Sequence, residues 1–368
     1  MTAVPPDAAS RPSPPLVEHP LMGYAIRPGS FHDHQTSTYT LAETAVREGR
    51  FADAADLGRY TVREAVEAHE LYRDWIVEIP IYLRDHGLSE AEIAAECARV
   101  EALVALPGGR RFDPEAGWAA YLAGIEAFAT ACAAGRSDIA LAFLEGAREI
   151  WRDTHDRKCD WVYGLLDVAA RRLGEGCIGD LWDVLMAPMY DYYGRYDVDV
   201  HPWPRSFELL MQIALEALRG HLSGPGRRGD IEVFEEADRW GMRFDPCGSG
   251  GRTYRDDPEA GVGPRMEAPF NYAVTTEEHD WAWNKKGVCL YCAHCCELME
   301  RVPIQKFGYP ARVVDPPTWP DGRAGQKCTW YVYKDPSLVP DEIYRRVGER
   351  KPAVLGGRAR ATAAGGDT

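Results

Sequence analysis

The stretch Phe51–Ile79, FADAADLGRYTVREAVEAHELYRDWIVEI, carries apolar residues at spacings of three and four. That period places them on one face of an α-helix, so the stretch predicts a long amphipathic helix. Pro80 follows directly and should end or kink the helix, because proline lacks the N–H that an interior turn needs. The first half of the chain is therefore predicted to be helical.

The segments that follow carry further helix signals. Ser89 and Glu92 form a capping-box pattern, and Asp113–Pro114 fits an N-cap followed by a first-turn proline. Gly135 is placed to end the helix that Pro114 begins. Further helices are predicted over 137–173, 177–192, 204–222 and 230–240. No fixed repeat period is present, which favours an irregular helical bundle over a solenoid.

The composition of the sequence changes at about residues 225–240. From Arg243 onward Gly, Pro, Trp, Tyr and Cys dominate, and helical periodicity is poor. The short runs Asn271–Thr275, Ala311–Val314 and Thr329–Tyr333 are typical of strands. The predicted fold class is mainly α: an irregular helical bundle followed by a smaller α+β, loop-rich, cysteine-containing region.

Four regions follow from these patterns. Residues 1–37 contain seven prolines between Pro5 and Pro28 and predict a flexible arm. Residues 38–235 form the predicted helical domain, and 236–352 the cysteine-rich, metal-binding α+β region. Residues 353–368 predict a flexible tail.

Composition limits the partners. A net charge of −15 argues against a broad nucleic-acid surface or an anionic membrane surface, since both need clustered Lys and Arg. No stretch reaches the roughly 20 apolar residues of a membrane helix, and the N-terminus lacks a secretory signal. We therefore expect a cytoplasmic protein whose partner is a small molecule, with the oligomeric state open.

The cysteines carry the main functional signal. Ten are present, and in a reducing compartment they should be thiols or metal ligands. Two successive Cys-x-x-Cys spacings stand in CLYCAHCC, residues 289–296, and such spacings let thiolates converge on one ion. The predicted metal ligands are Cys247, Cys289, Cys292, Cys295 and Cys328. Cys295 and Cys296 are adjacent, too cramped for both to bind one tetrahedral ion, and His294 is a possible nitrogen ligand.

The spacing indicates a metal without deciding which one. A closed structural zinc site, a zinc site with an open position for catalysis, and an iron–sulfur cluster all remain possible. Reactive or buried thiols without a metal are the fourth alternative.

A glycine loop precedes this segment, DPCGSGGR at residues 245–252. Its glycines allow the backbone to approach a ligand closely, and Arg252 adds a bidentate donor for an anion. The predicted substrate-binding residues are Gly248, Ser249, Gly250, Gly251 and Arg252. The plainer alternative is a tight turn that presents Cys247 to the metal.

Helix 137–173 also bears a polar run that contains Glu149, Asp153, His155, Asp156 and Asp160. These groups could act as acid and base or bind a second metal. We favour a solvated acidic face, with Arg152, Arg157 and Lys158 as partners.

The functional prediction is a cytosolic metalloenzyme, most simply a zinc enzyme, acting on a small anionic molecule by metal-assisted hydrolysis or lyase chemistry. His294 or Glu297 would move the proton, with His221 as a further catalytic candidate, and Arg252 would hold the anion. One alternative is an iron–sulfur or thiol redox protein. Another is a non-enzymatic helical scaffold with structural zinc.

Overall fold

The computed structural model describes residues 14–258 and 260–355. Seven helices of ten or more residues occupy its first part, in agreement with the predicted mainly α class. They are α1 Thr38–Arg47, α2 Phe51–Asp85, α3 Glu90–Leu103, α4 Pro114–Ala133, α5 Ser137–Leu173, α6 Cys177–Tyr190 and α7 Trp203–Gly220. Helix α2 packs against the six other long helices, and α5 packs against α1, α2, α3, α4 and α6, so these two helices form the centre of the bundle.

The predicted caps are confirmed. The Ser89 side chain accepts from the Glu92 N–H while the Glu92 carboxylate accepts from the Ser89 N–H, and Asp113 caps α4. Of the two alternatives predicted for Pro80, an end or a kink of the helix, the first is wrong. The helix continues to Asp85 because a proline removes only one interior hydrogen bond, and the turn beyond it is anchored by the buried side chains of Tyr82 and Leu83.

The predicted helix at 230–240 is also wrong. Strand β3 (Glu232–Glu235) pairs antiparallel with β4 (Arg239–Phe244), and β4 pairs with β6 (Cys328–Tyr333). The sheet is completed by β5 (Val313–Asp315), in the order β3-β4-β6-β5. Pairing with β6, about 90 residues away in sequence, overrides the weak local helical signal.

The three runs predicted as strands in the second half agree with the structure to different extents. The run at 329–333 is β6, and the run at 311–314 overlaps β5. The run at 271–275 contributes an isolated bridge between Val274 and Cys289. Short helices complete this half: α8 (Ala293–Cys296), α9 (Val302–Phe307) and α10 (Asp341–Arg345), with a π-helical turn at Glu297–Arg301.

Part of the predicted N-terminal arm is structured. Residues 1–13 lie outside the described residues, but β1 (Val17–His19) and β2 (Tyr24–Ile26) form a hairpin. The Tyr24 hydroxyl donates to Glu216 of α7, which fastens the hairpin to the bundle. Most of the predicted tail, from residue 356 on, lies outside the described residues.

One hydrophobic cluster runs from Tyr39 in α1 to Val347 after α10, so both halves share a core. No helix in the described part of the chain combines the length and hydropathy that crossing a lipid bilayer requires.

Candidate functional site: a cysteine pocket

A small cavity of about 20 Å³ lies where the sheet, the glycine loop and α8 meet. Four cysteines line it, and we call it the cysteine pocket. Its lining residues are Cys247, Ser249, Gly250, Gly251, Trp283, Tyr291, Cys292, His294, Cys295, Val314, Pro316, Pro317, Cys328 and Trp330. None of these side chains is Lys, Arg, Asp or Glu.

The fold brings the four cysteines together from three segments. Cys328 begins β6 opposite Phe244, the last residue of β4, and Cys247 follows that strand by three residues. Cys292 is the N-cap of α8, and Cys295 lies in its first turn. A separation of three residues places two side chains on the same side of a helical turn, so both cysteines face the pocket.

The glycine loop packs closely against Cys292 and Cys247 because Gly250 and Gly251 have no side chains. A β-carbon at Gly250 would overlap the Cys292 sulfur, and one at Gly251 would lie 2.8 Å from the Cys247 β-carbon. The Ser249 hydroxyl lies 3.4 Å from the Cys247 sulfur. Of the predicted loop residues, Ser249, Gly250 and Gly251 line the pocket, whereas Gly248 packs against the His221 carbonyl.

Cys289 lies behind the pocket and is fully buried. Burial would raise its pKa, but hydrogen bonds from Cys292, Tyr163 and Thr253 outweigh this effect and lower the pKa. The Thr253 hydroxyl lies 3.7 Å from the Cys289 sulfur. Of the five predicted ligands, therefore, four line one pocket and the fifth adjoins Cys292.

Three of the pocket thiols have pKa values raised well above the ordinary value for cysteine. The neighbouring Cys289 and burial together raise the pKa of Cys292. Burial raises the pKa of Cys295 and of Cys328, although the nearby Trp330 indole opposes the rise at Cys328. Binding a metal here would therefore release protons, because the metal ligand is the thiolate.

His294 lines the pocket and contacts one of its cysteines, Cys295. Its Nδ1 lies 2.6 Å from the Tyr291 carbonyl oxygen, so this nitrogen carries the proton and Nε2 is the free acceptor. The Nε2 atom lies 3.4 Å from the Cys295 sulfur. Burial lowers the pKa of His294 to about 4, which keeps the ring neutral.

The other predicted catalytic groups lie elsewhere. Glu297 is fully buried in the π-helical turn, accepts from Arg301 at 2.8 Å and does not line the pocket. Burial raises its pKa to about 7. His221 is likewise outside the pocket, with its Nδ1 2.8 Å from Nε2 of His155.

Arg252 has intramolecular partners in place of an open anion site. Its Nη2 donates to Asp160 at 2.8 Å, and its Nε lies 3.1 Å from the Asp156 carboxylate. Arg227 also forms two hydrogen bonds to Asp156, at 3.0 and 2.8 Å. The Arg252 guanidinium therefore ties the glycine loop to α5.

The prediction of a solvated acidic face on α5 agrees with the exposure of Glu149 and Asp153 but is wrong for the residues that follow them. His155, Asp156, Lys158 and Asp160 are all buried. The signal available in the sequence was the apolar run on every side of the helix after Cys159, which is typical of a helix buried all round. Two arginines from the loops, Arg227 and Arg252, supply the charges that make burial of Asp156 tolerable.

A buried hydrogen-bonded chain connects this cluster to the pocket wall, and we call it the histidine–tyrosine chain: Asp156, His155, His221, Tyr72 and Tyr291. Asp156 Oδ1 lies 2.8 Å from His155 Nδ1. The Tyr72 hydroxyl lies 3.4 Å from His155 Nε2 and from His221 Nδ1, and 2.8 Å from the Tyr291 hydroxyl. The sequence offered no signal for Tyr72, which comes from α2.

Within the described ranges, 14–258 and 260–355, no three His, Cys, Asp or Glu side chains form a group that could hold a single metal ion. No protein-family model, no curated protein and no solved structure matches the chain.

Proposed function

We propose that the protein binds an iron–sulfur cluster in the cysteine pocket and functions as a redox protein. The observation that carries the proposal is the lining of one pocket by Cys247, Cys292, Cys295 and Cys328. Four cysteine thiolates are the usual ligand set of both [2Fe–2S] and [4Fe–4S] clusters.

The arrangement of the thiols favours a cluster over one zinc ion. Tetrahedral zinc with bonds of about 2.3 Å needs sulfurs roughly 4 Å apart. Among the described residues no three His, Cys, Asp or Glu side chains form a group that could hold a single metal ion. A cluster of two or more iron atoms can bind thiolates that do not converge on one point.

The surroundings suit a cluster as well. The Trp330 indole N–H is buried in the pocket wall, where its hydrogen bond to Cys328 opposes the rise in the pKa of that thiol. Ser249 offers a hydroxyl to Cys247. Hydrogen bonds to sulfur and low solvent exposure are the means by which a protein sets a cluster's potential.

Two unusual backbone features flank the pocket. Trp283, in the pocket wall, has a left-handed φ of 56°, and a π-helical turn follows α8 at Glu297–Arg301. Both conformations are uncommon and concentrate at functional sites. They support a binding role for this region over simple packing.

A second candidate function is thiol-based nucleophilic catalysis, and the contact between Cys295 and His294 favours it. The neutral ring's Nε2, 3.4 Å from the Cys295 sulfur, could accept the thiol proton, and the Tyr291 carbonyl fixes the tautomer. Zinc-assisted hydrolysis of an anion has less support, because Arg252 is paired with Asp156 and Asp160 and no charged side chain lines the pocket.

Reconstitution tests the proposal. Protein handled without oxygen is treated with ferrous iron and sulfide, and visible absorbance with bound iron and acid-labile sulfide is measured. We expect a cluster in the wild type and its loss in Cys247→Ser and Cys328→Ser. Cys97→Ser on α3, outside the pocket, is the matched control and should retain it. Equal iron in all four proteins would refute the proposal.

A further inference from the structure

The histidine–tyrosine chain has a defined direction. Arg227 and Arg252 hold Asp156 in its ionised form, and their attraction outweighs burial to keep the Asp156 pKa well below its usual range. The ionised carboxylate accepts from Nδ1 of His155, so Nε2 of the neutral ring is left as an acceptor. Asp156 is therefore a positioning residue that turns the acceptor atom of His155 toward His221 and Tyr72.

The charges around the two histidines keep them neutral at rest. Burial and the cations Arg227 and Arg252 lower the pKa of His155 to about 4, against the opposing effect of Asp156. Burial, His155 and His294 lower the pKa of His221. A negative charge added to the nearby pocket would raise both pKa values, because it favours the protonated rings.

Tyr72 and Tyr291 join the pair to the pocket. Their hydroxyls are 2.8 Å apart, and Tyr291 lines the pocket. Each hydroxyl can accept one proton and donate another, so the two can pass a proton with no net change in either.

We propose that the His155–His221 pair takes up one proton when the pocket is reduced, with Tyr72 and Tyr291 as the link. The inference rests on the proposed cluster. One electron enters the cluster from an external one-electron reductant, and one proton from solvent passes along the tyrosine hydroxyls to Nε2 of His155. Nε2 then gives up its hydrogen bond from His221. The net charge of the buried region is unchanged by the two transfers.

The test is the pH dependence of the midpoint potential of the cluster-loaded protein. We expect the wild-type potential to fall as pH rises between the His155 pKa of the oxidised, cluster-loaded protein and the higher His155 pKa of the reduced protein. His155→Gln should lose this dependence. His34→Gln, at another buried neutral histidine beside Arg219, is the matched control and should keep it.

Tyr72→Phe removes only the link and preserves the ring packing, so it should fold even if His155→Gln does not. The midpoint potential of this variant should depend on pH as it does in the wild type. In stopped-flow mixing with dithionite, however, its cluster should be reduced more slowly. The solvent deuterium isotope effect that we expect on the wild-type reduction rate should be lost. A wild-type potential independent of pH, an unchanged slope in His155→Gln, or a wild-type rate and isotope effect in Tyr72→Phe would overturn the inference. Absence of iron from the wild type would instead refute the proposed function.

Discussion

The Gly250 backbone lies against the Cys292 sulfur so closely that a β-carbon at position 250 would overlap it. The Gly250 φ of −67° is open to any residue, so close approach is the reason for glycine here. Gly250→Ala should displace Cys292 and lower the iron bound per chain severalfold. The measurement is iron content after reconstitution.

Gly146→Ala provides the control for this variant. A β-carbon at Gly146, inside α5, meets nothing within 4 Å. Alanine is favoured over glycine in a helix by up to about 1 kcal/mol, so this variant should be at least as stable as the wild type with the same iron content. Equal iron in Gly250→Ala and Gly146→Ala would argue against Cys292 as a ligand.

The buried ion pairs of Arg252 should dominate the stability of the region behind the pocket. Arg252→Met leaves Asp160 with Arg265 alone and removes one of the two arginines on Asp156. Loss of one partner of a buried pair typically costs about 3–5 kcal/mol. Urea unfolding should therefore give a free energy of unfolding about 3–5 kcal/mol lower than that of the wild type.

Arg59→Ala is the comparison for this prediction. Arg59 is an exposed residue of α2, and its Nε lies 3.4 Å from the carboxylate of Glu126 in α4. Exposed pairs contribute about 0–1 kcal/mol, so the variant should unfold near the wild-type midpoint. An Arg252→Met protein as stable as Arg59→Ala would contradict the assigned ion pairs.

Lys158 gives a pH dependence of stability with a definite sign. Its ammonium is fully buried and donates to Nδ1 and the carbonyl of His69, at 2.7 and 2.8 Å. Burial lowers its pKa to about 7. Between this value and the unfolded pKa of about 10.4, the unfolded chain binds the extra proton, so the Lys158 contribution to stability increases as pH rises.

The difference in unfolding free energy between wild type and Lys158→Met isolates this effect. It should shift in favour of the wild type by up to about 1.4 kcal/mol per pH unit over that window. Parallel pH profiles for the two proteins would show that Lys158 keeps its ordinary pKa in the fold.

Much of the helical half was predictable because its signals are local. The capping box at Ser89 and the Asp113–Pro114 start depend on residues a few positions apart. The error at 230–240 arose because β4 is defined by its partner β6, far away in sequence. Pro80 does not end α2 because the tertiary packing of this helix compensates for one missing hydrogen bond.

The cysteine pocket was predictable in part. Cys-x-x-Cys spacing and the glycine loop marked its residues before the fold was known, but nothing in the sequence separates Cys289 from the four cysteines that line the pocket. The role of Arg252 was missed because its partners Asp156 and Asp160 lie on α5, about 90 residues earlier. Those carboxylates were assigned to solvent for the same reason.

Elemental analysis of wild-type protein purified without oxygen, with iron, sulfide and zinc measured on the same sample, tests the proposed cluster most directly. We expect iron and acid-labile sulfide together, bound in a fixed ratio to the chain, with visible absorbance that bleaches on reduction. Zinc alone at one ion per chain, or no metal with four free thiols around the pocket, would contradict the proposed cluster.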